Sequence, residues 1–288
     1  MELLLTLLTG LLSLPLPAGF IGDTIAGNQI RDRFEKVEKL VVRIDNPPTH
    51  QLLRGKVEKI RIAGRGLWLT EDIRVAAAEV ETDPLHVNLK QRSEQGLPQI
   101  EQPLQAGLRL VLDEADINRA LSKLLSSNEL KELSTDLLSD EEFAEEVERY
   151  EVKQPRVTFL GNNRLRVEAS LRELVEGSDT TFQPYELTVI VETGLGILEG
   201  CRLDLIAPTI EVRRREADGR EIRDAAPEEL LDAIATGIEK DYDLRLLQKF
   251  GITARLLRLA MQDGELEVAA FVRVEPVIDL SDYQQQQK

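Results

Sequence analysis

Asp113, Glu114 and Asp116 stand close together, and carboxylates so placed could exchange a proton or hold a cation. Their setting gives a plainer account. They follow Leu108-Arg-Leu-Val-Leu112, whose alternation has the period of a half-buried strand. They precede Ile117, Leu121 and Leu125, which recur every four residues along one helical face. Acids in a first helical turn are favoured by the helix dipole, so these three read as helix-start residues. Other reactive side chains are few. Cys201 is the chain's one cysteine, so no internal disulfide forms. It alternates with Leu203 and Leu205 and reads as a buried strand thiol. His50 follows the turn sequence Asn46-Pro-Pro-Thr49, and His86 lies between Leu85 and Val87. Two isolated histidines and one thiol do not build a zinc site. No metal or cofactor is expected.

The chain has no Gly-x-Gly-x-x-Gly fingerprint, no phosphate loop and no Gly-x-Ser-x-Gly elbow. With so little His, Cys and aromatic content, it does not read as an enzyme. Its net charge of -16 opposes nucleic acid, whose binding rests on clustered Lys and Arg. The same charge opposes electrostatic docking on an anionic membrane, so membrane contact must be apolar or local.

The elements that would position a site are mostly strands. Residues 37–45, 56–63, 73–80 and 85–89 each alternate, and Gly64-Arg-Gly66 marks a turn or bulge. Residues 91–103 read as a loop. After the strand-to-helix module at 108–121, helix is predicted through 124–139, and Ser139-Asp-Glu-Glu142 has the form of a capping box for another. The acidic excess at 127–151 reads as a solvated helix face. Residues 156–160 and 165–171 form a hairpin around Gly161-Asn-Asn163, and 252–261 and 266–274 form another around Gln262-Asp-Gly264. Between them lie an alternating run at 185–192, punctuated by Gly194 and Gly196, and an extended run at 203–212. Arg213-Arg-Arg215 is either a headgroup contact or the solvated end of a strand. Pro227 opens a helix with Leu230, Leu231, Ile234 and Ile238 on one face.

The fold class is α+β with a mostly antiparallel sheet. Three parts are expected: an apolar N-terminal segment (1–22), one domain (23–276) and a disordered polar tail (277–288). The Leu-rich run at 3–14 is too short to span a bilayer, and Pro15 and Pro17 interrupt it. An apolar anchor, an atypical export signal and a helix plugged into the domain all fit it.

Several segments together carry a family resemblance: Ala26-Gly-Asn-Gln-Ile30, Val41-Val-Arg-Ile-Asp45, Leu53-Arg-Gly-Lys-Val57, Ile60-Arg-Ile-Ala-Gly64, Leu112-Asp-Glu-Ala-Asp-Ile-Asn118 and Gly251-Ile-Thr-Ala-Arg255. In this order they resemble the LmeA-like phospholipid-binding family, most closely its cyanobacterial members, over residues 20–276. The resemblance implies a curved sheet wrapping amphipathic helices, as in tubular lipid-binding domains. It implies a phospholipid or glycolipid partner and a place at a membrane, periplasmic or on the thylakoid or inner membrane. It supplies no catalytic positions.

The residues fit that implication. An eight-residue strand spans roughly 25 Å, about an acyl tail's length. Shielding a dozen methylenes yields roughly 10 kcal/mol before ordering costs. The candidate cavity lining is Leu108, Leu110, Leu165, Val167, Leu187, Val189, Val191, Leu266, Val268 and Val272. Two readings stay open. These faces line a lipid cavity, or they close a filled core in a non-enzymatic scaffold whose acidic helices bind a basic partner. Lipid identity and oligomeric state are not legible.

Overall fold

The computed structural model describes residues 27–28, 30–45, 54–92, 98–124, 150–173, 186–215, 221–225 and 243–276. In chain order these hold β1 (Lys36–Asp45), β2 (Lys56–Val57), β3 (Lys59–Trp68), β4 (Arg74–Thr82), β5 (Leu85–Arg92), β6 (Pro98–Ile100), β7 (Leu104–Asp113), helix α1 (Glu114–Leu124), β8 (Tyr150–Gly161), β9 (Arg164–Glu173), β10 (Glu186–Leu198), β11 (Arg202–Arg215) and β12 (Glu221–Ala225). A 3₁₀ helix (Leu244–Phe250), β13 (Ile252–Gln262) and β14 (Glu265–Val274) follow. The chain divides into two compact units. One takes residues 1–112, 244–258 and 267–288, the other residues 113–243 and 259–266.

The first unit is built on a sheet of order β1-β3-β4-β7-β14-β13, with a small sheet β2-β5-β6. Alternation in the sequence becomes two unlike faces. Val42, Ile62, Val80 and Leu108 stand opposite one another across four antiparallel strands. That apolar face closes into a core with Ile60, Leu67, Leu104, Leu247, Ile252 and Val274, each almost fully buried. The other face is charged. Arg61 pairs with Glu81 at 3.1 Å and with Asp45 at 2.6 Å, and Arg109 pairs with Glu267 at 2.9 Å. The glycines at 64 and 66 do not end β3, which runs on to Trp68. Gly66 takes a φ of 55°, a bulge-like kink that glycine accepts readily. Leu67 then lies over Gly64, where a Cβ would come within 2.8 Å of its side-chain carbons.

The second unit carries the sheet β12-β11-β10-β9-β8, every described pairing of which is antiparallel. Asn162, Asn163, Glu199, Gly200, Asp263 and Gly264 all have positive φ, as tight hairpin turns require. The mostly antiparallel sheet expected from the sequence is present, and both large sheets are open.

Several details differ from expectation. β6 lies in the stretch read as a loop, pairing with β5 at Val87 and Ile100. The strand expected at 56–63 is split into β2 and β3. Gly194 and Gly196 do not break β10. They make room for Ile206 of β11, whose Cδ1 would meet a Cβ on Gly196 at 2.9 Å. Cys201 is half-buried in the β10–β11 turn, not buried in a strand. Of the helices expected at 124–139 and from Ser139 on, residues 125–149 lie outside the described residues, as do 227–238, the segment 1–22 and the tail 277–288, whereas Tyr150 and Glu151, read with the acidic helix face, open β8.

Candidate functional site

Register places the second unit's apolar side chains in rows. Ala169, Val189 and Val212 form one row, and Val157, Val167, Val191 and Ile210 the next. Phe159, Leu165 and Thr193 follow. Leu195 with Leu205 and Ile197 with Leu203 extend the same face along β10 and β11. In the first unit the equivalent face is largely buried, with Leu40, Ile44 and Val80 half-buried against its core. Here every one of these apolar residues is only half-buried, and among the row members named Thr193 alone is buried. From Leu187 to Ile197 the face runs about 33 Å, longer than the ~15 Å of hydrocarbon in one bilayer leaflet. The opposite face carries the ion pairs Arg166–Glu192 and Arg213–Glu211 and one buried apolar side chain, Ile190, set between Glu168 and Glu211.

Helix α1 fixes one edge of this sheet. β7 ends at Asp113 and α1 starts at Glu114, so the strand-to-helix junction needs no turn. Val157 and Phe159 of β8 turn backbone groups away from β9, at the sheet's edge. The Val157 N–H donates to Asn118 Oδ1 at 2.7 Å, and Asn118 Nδ2 donates to the Val157 carbonyl at 2.8 Å. The Phe159 N–H donates to Glu114 Oε2 at 2.7 Å. Asn163 does the same for β13. Its Nδ2 donates to the Leu259 carbonyl at 3.1 Å, and its Oδ1 accepts from the Met261 N–H at 2.9 Å. Two asparagine amides thus stand in for a neighbouring strand, and unsatisfied strand edges are blunted this way. The sequence reading treated Glu114 as a dipole-matched acid and Asn163 as a turn residue. Their edge-strand partners are 45 and 96 or more positions away and left no local signal.

The expected lining residues separate between the two units. Leu165, Val167, Leu187, Val189 and Val191 share the half-buried face just described. Leu108 and Val272 are buried in the first unit's core, and Leu110 packs against it. Leu266 and Val268 are half-buried on β14. Asp113, Glu114 and Asp116 do not converge on an open site. Asp116 is buried and paired with Arg119, and Glu114 holds β8. Among the described residues no group of His, Cys, Asp or Glu is arranged to hold a metal. None of the described helices is long and apolar enough to cross a membrane.

An open groove of about 400 Å³ lies on the first unit's charged face. Gly107, with nothing within 4 Å of its would-be Cβ, leaves it open, and Arg61, Glu79, Glu81 and Arg109 border it. These charges neutralise one another. Hydrogen bonds from Lys59 and Arg61 hold the Glu81 carboxyl below its ordinary range. Arg109 does the same to Glu267, and Glu267 in turn raises Arg109. Between these paired charges the groove is floored by small and apolar side chains, among them Ala63, Leu257 and Ala269, and the pairing leaves no net field for an anion.

A family model described as LmeA-like phospholipid-binding matches residues 17–271. No curated protein and no solved structure matches the chain.

Proposed function

Because the chain belongs to the LmeA-like phospholipid-binding family, we propose that it binds a phospholipid or glycolipid along the apolar face of its second unit. The observation that carries this reading is that face: a long run of apolar side chains left half-exposed. Burial of acyl methylenes, at about 0.8 kcal/mol each, supplies the affinity. The protein works at a membrane surface, moving, presenting or maintaining lipid. It does so without catalysis and without nucleic acid, in keeping with its -16 charge. Residues 23–276 act as one lipid-binding domain in which helices complete the enclosure. Leu165, Val167, Leu187, Val189 and Val191 are the lining on which this reading rests. Leu108, Leu110 and Val272 contribute as core, and Leu266 and Val268 stay half-buried on β14 apart from this face.

Organic extraction of gently purified protein, read by mass spectrometry, recovers a bound lipid, and delipidated protein takes up a fluorescent phospholipid. Neither result would be obtained from a protein whose apolar faces are all closed. Val189→Asp abolishes uptake while the urea midpoint changes little, because Val189 is half-exposed and its new charge stays hydrated. A Val189→Asp protein that simply unfolds would identify Val189 as core.

A further inference from the structure

We propose that Arg214 binds the phosphate of the lipid headgroup at one end of the apolar face. This deepens the lipid-binding reading and rests on it. Successive residues of a strand point to opposite faces, so the three arginines at 213–215 cannot act together. Arg213 lies on the polar face and is paired with Glu211 at 2.8 Å. Arg214 stands opposite Leu187 on one side and Ile222 on the other, so it shares a face with Val189, Val191 and Val212. Its Nε is buried and has no hydrogen-bond partner. A guanidinium set among apolar side chains with an unanswered N–H calls for an acceptor oxygen. Arg202 Nε is also unanswered, but Arg202 lies on the other face, with a Glu199 carboxylate 3.9 Å from its guanidinium.

Phosphate suits the position. Arginine presents planar, paired donors that match phosphate oxygens, and such charge-assisted bonds strengthen where water is excluded. With phosphate at Arg214, acyl chains extend from Leu187 past Val189 and Val191 toward Leu195 and Ile197. An anion held there is one the acidic remainder of the chain would otherwise repel. The end of the face with Arg214 takes the headgroup, and the opposite end takes the tail.

The test compares phosphatidic acid with diacylglycerol, each carrying the same fluorescent acyl chain, on the full-length protein. The native chain prefers phosphatidic acid by about tenfold or more, the factor expected for a charged hydrogen bond. Arg214→Gln erases that preference and leaves diacylglycerol binding intact, which also reports that the variant is folded. Arg214→Lys retains part of the preference. The proposal is overturned if Arg214→Gln keeps the preference. It is also overturned if Arg214→Gln loses both lipids equally and Arg214→Lys restores nothing, since Arg214 would then only shape the face. Excess inorganic phosphate leaves the preference in place when the site is made for lipid. If inorganic phosphate alone binds through Arg214 and phosphatidic acid gains nothing from it, the lipid assignment is overturned. A native chain that takes up neither lipid refutes the lipid-binding reading itself, a result distinct from these.

Discussion

The two sheets start from the same pattern and finish differently. In the first unit, Ile60 and Ile62 alternate with Lys59 and Arg61, and the isoleucines are buried in a closed core. In the second, Val189 and Val191 alternate with Thr188, Ile190 and Glu192, yet the valines remain half-exposed. The core of the first is filled by Leu67, Leu104, Leu247 and others that leave almost no side-chain surface in contact with water. The second unit puts its polar fastening at the edges, through Asn118, Glu114 and Asn163. One region is organised for stability. The other holds a half-buried apolar surface in place, the surface on which the proposed lipid binding rests.

Large-to-small substitutions sharpen this contrast most. Leu104→Ala, in the closed core, lowers stability by about 2–5 kcal/mol in urea denaturation. Leu187→Ala, on the half-exposed face, costs about 1 kcal/mol or less and weakens lipid uptake. Equal losses at the two positions would erase the distinction. Gly64→Ala forces Leu67 from its seat and destabilises the first unit by about 1–3 kcal/mol.

The edge clamps come next. Asn163→Gly keeps the positive φ but removes the amide, leaving the Leu259 carbonyl and Met261 N–H without it, at a cost of about 1–3 kcal/mol. Hydrogen exchange at Met261 then accelerates. If exchange there is unchanged, the clamp is not what protects that edge. The smallest effect belongs to the exposed ion pairs. Arg109 holds the Glu267 carboxyl below its ordinary value of 4.5. The resulting stability is present above that value and is lost as the pH falls through the lower folded one. Glu267→Gln therefore narrows the gap between urea midpoints at pH 7 and in strong acid, by a small margin because the pair is solvent-screened.

Much of the fold was legible. The strands at 37–45 and 73–80, the hairpins around Asn162 and Gly264, and the direct passage from β7 into α1 follow from local periodicity and turn chemistry. β6 was not, because its three residues offer no period to detect. Half of the lining proposed from the sequence falls on the half-exposed face, because one-sided alternation marks any half-apolar strand. The same signal also selected Leu108 and Val272, which are core. Alternation shows that a face is apolar and does not show what covers it.

The sequence alone determined the periods, the turns, the acidic surface and the scarcity of catalytic side chains. Tertiary structure decided which apolar faces close and which arginine meets the open one. Leu203 and Leu205 put odd-numbered positions of β11 on the apolar face, whereas Ile210 and Val212 put even-numbered ones there. The register shift opposite Glu192 and Gly194, with Ala207 at a φ of 46°, carries the strand from one phase to the other. A one-residue slip exchanges the two faces of a strand, so this bulge sets Arg214, and not Arg213, beside the apolar rows.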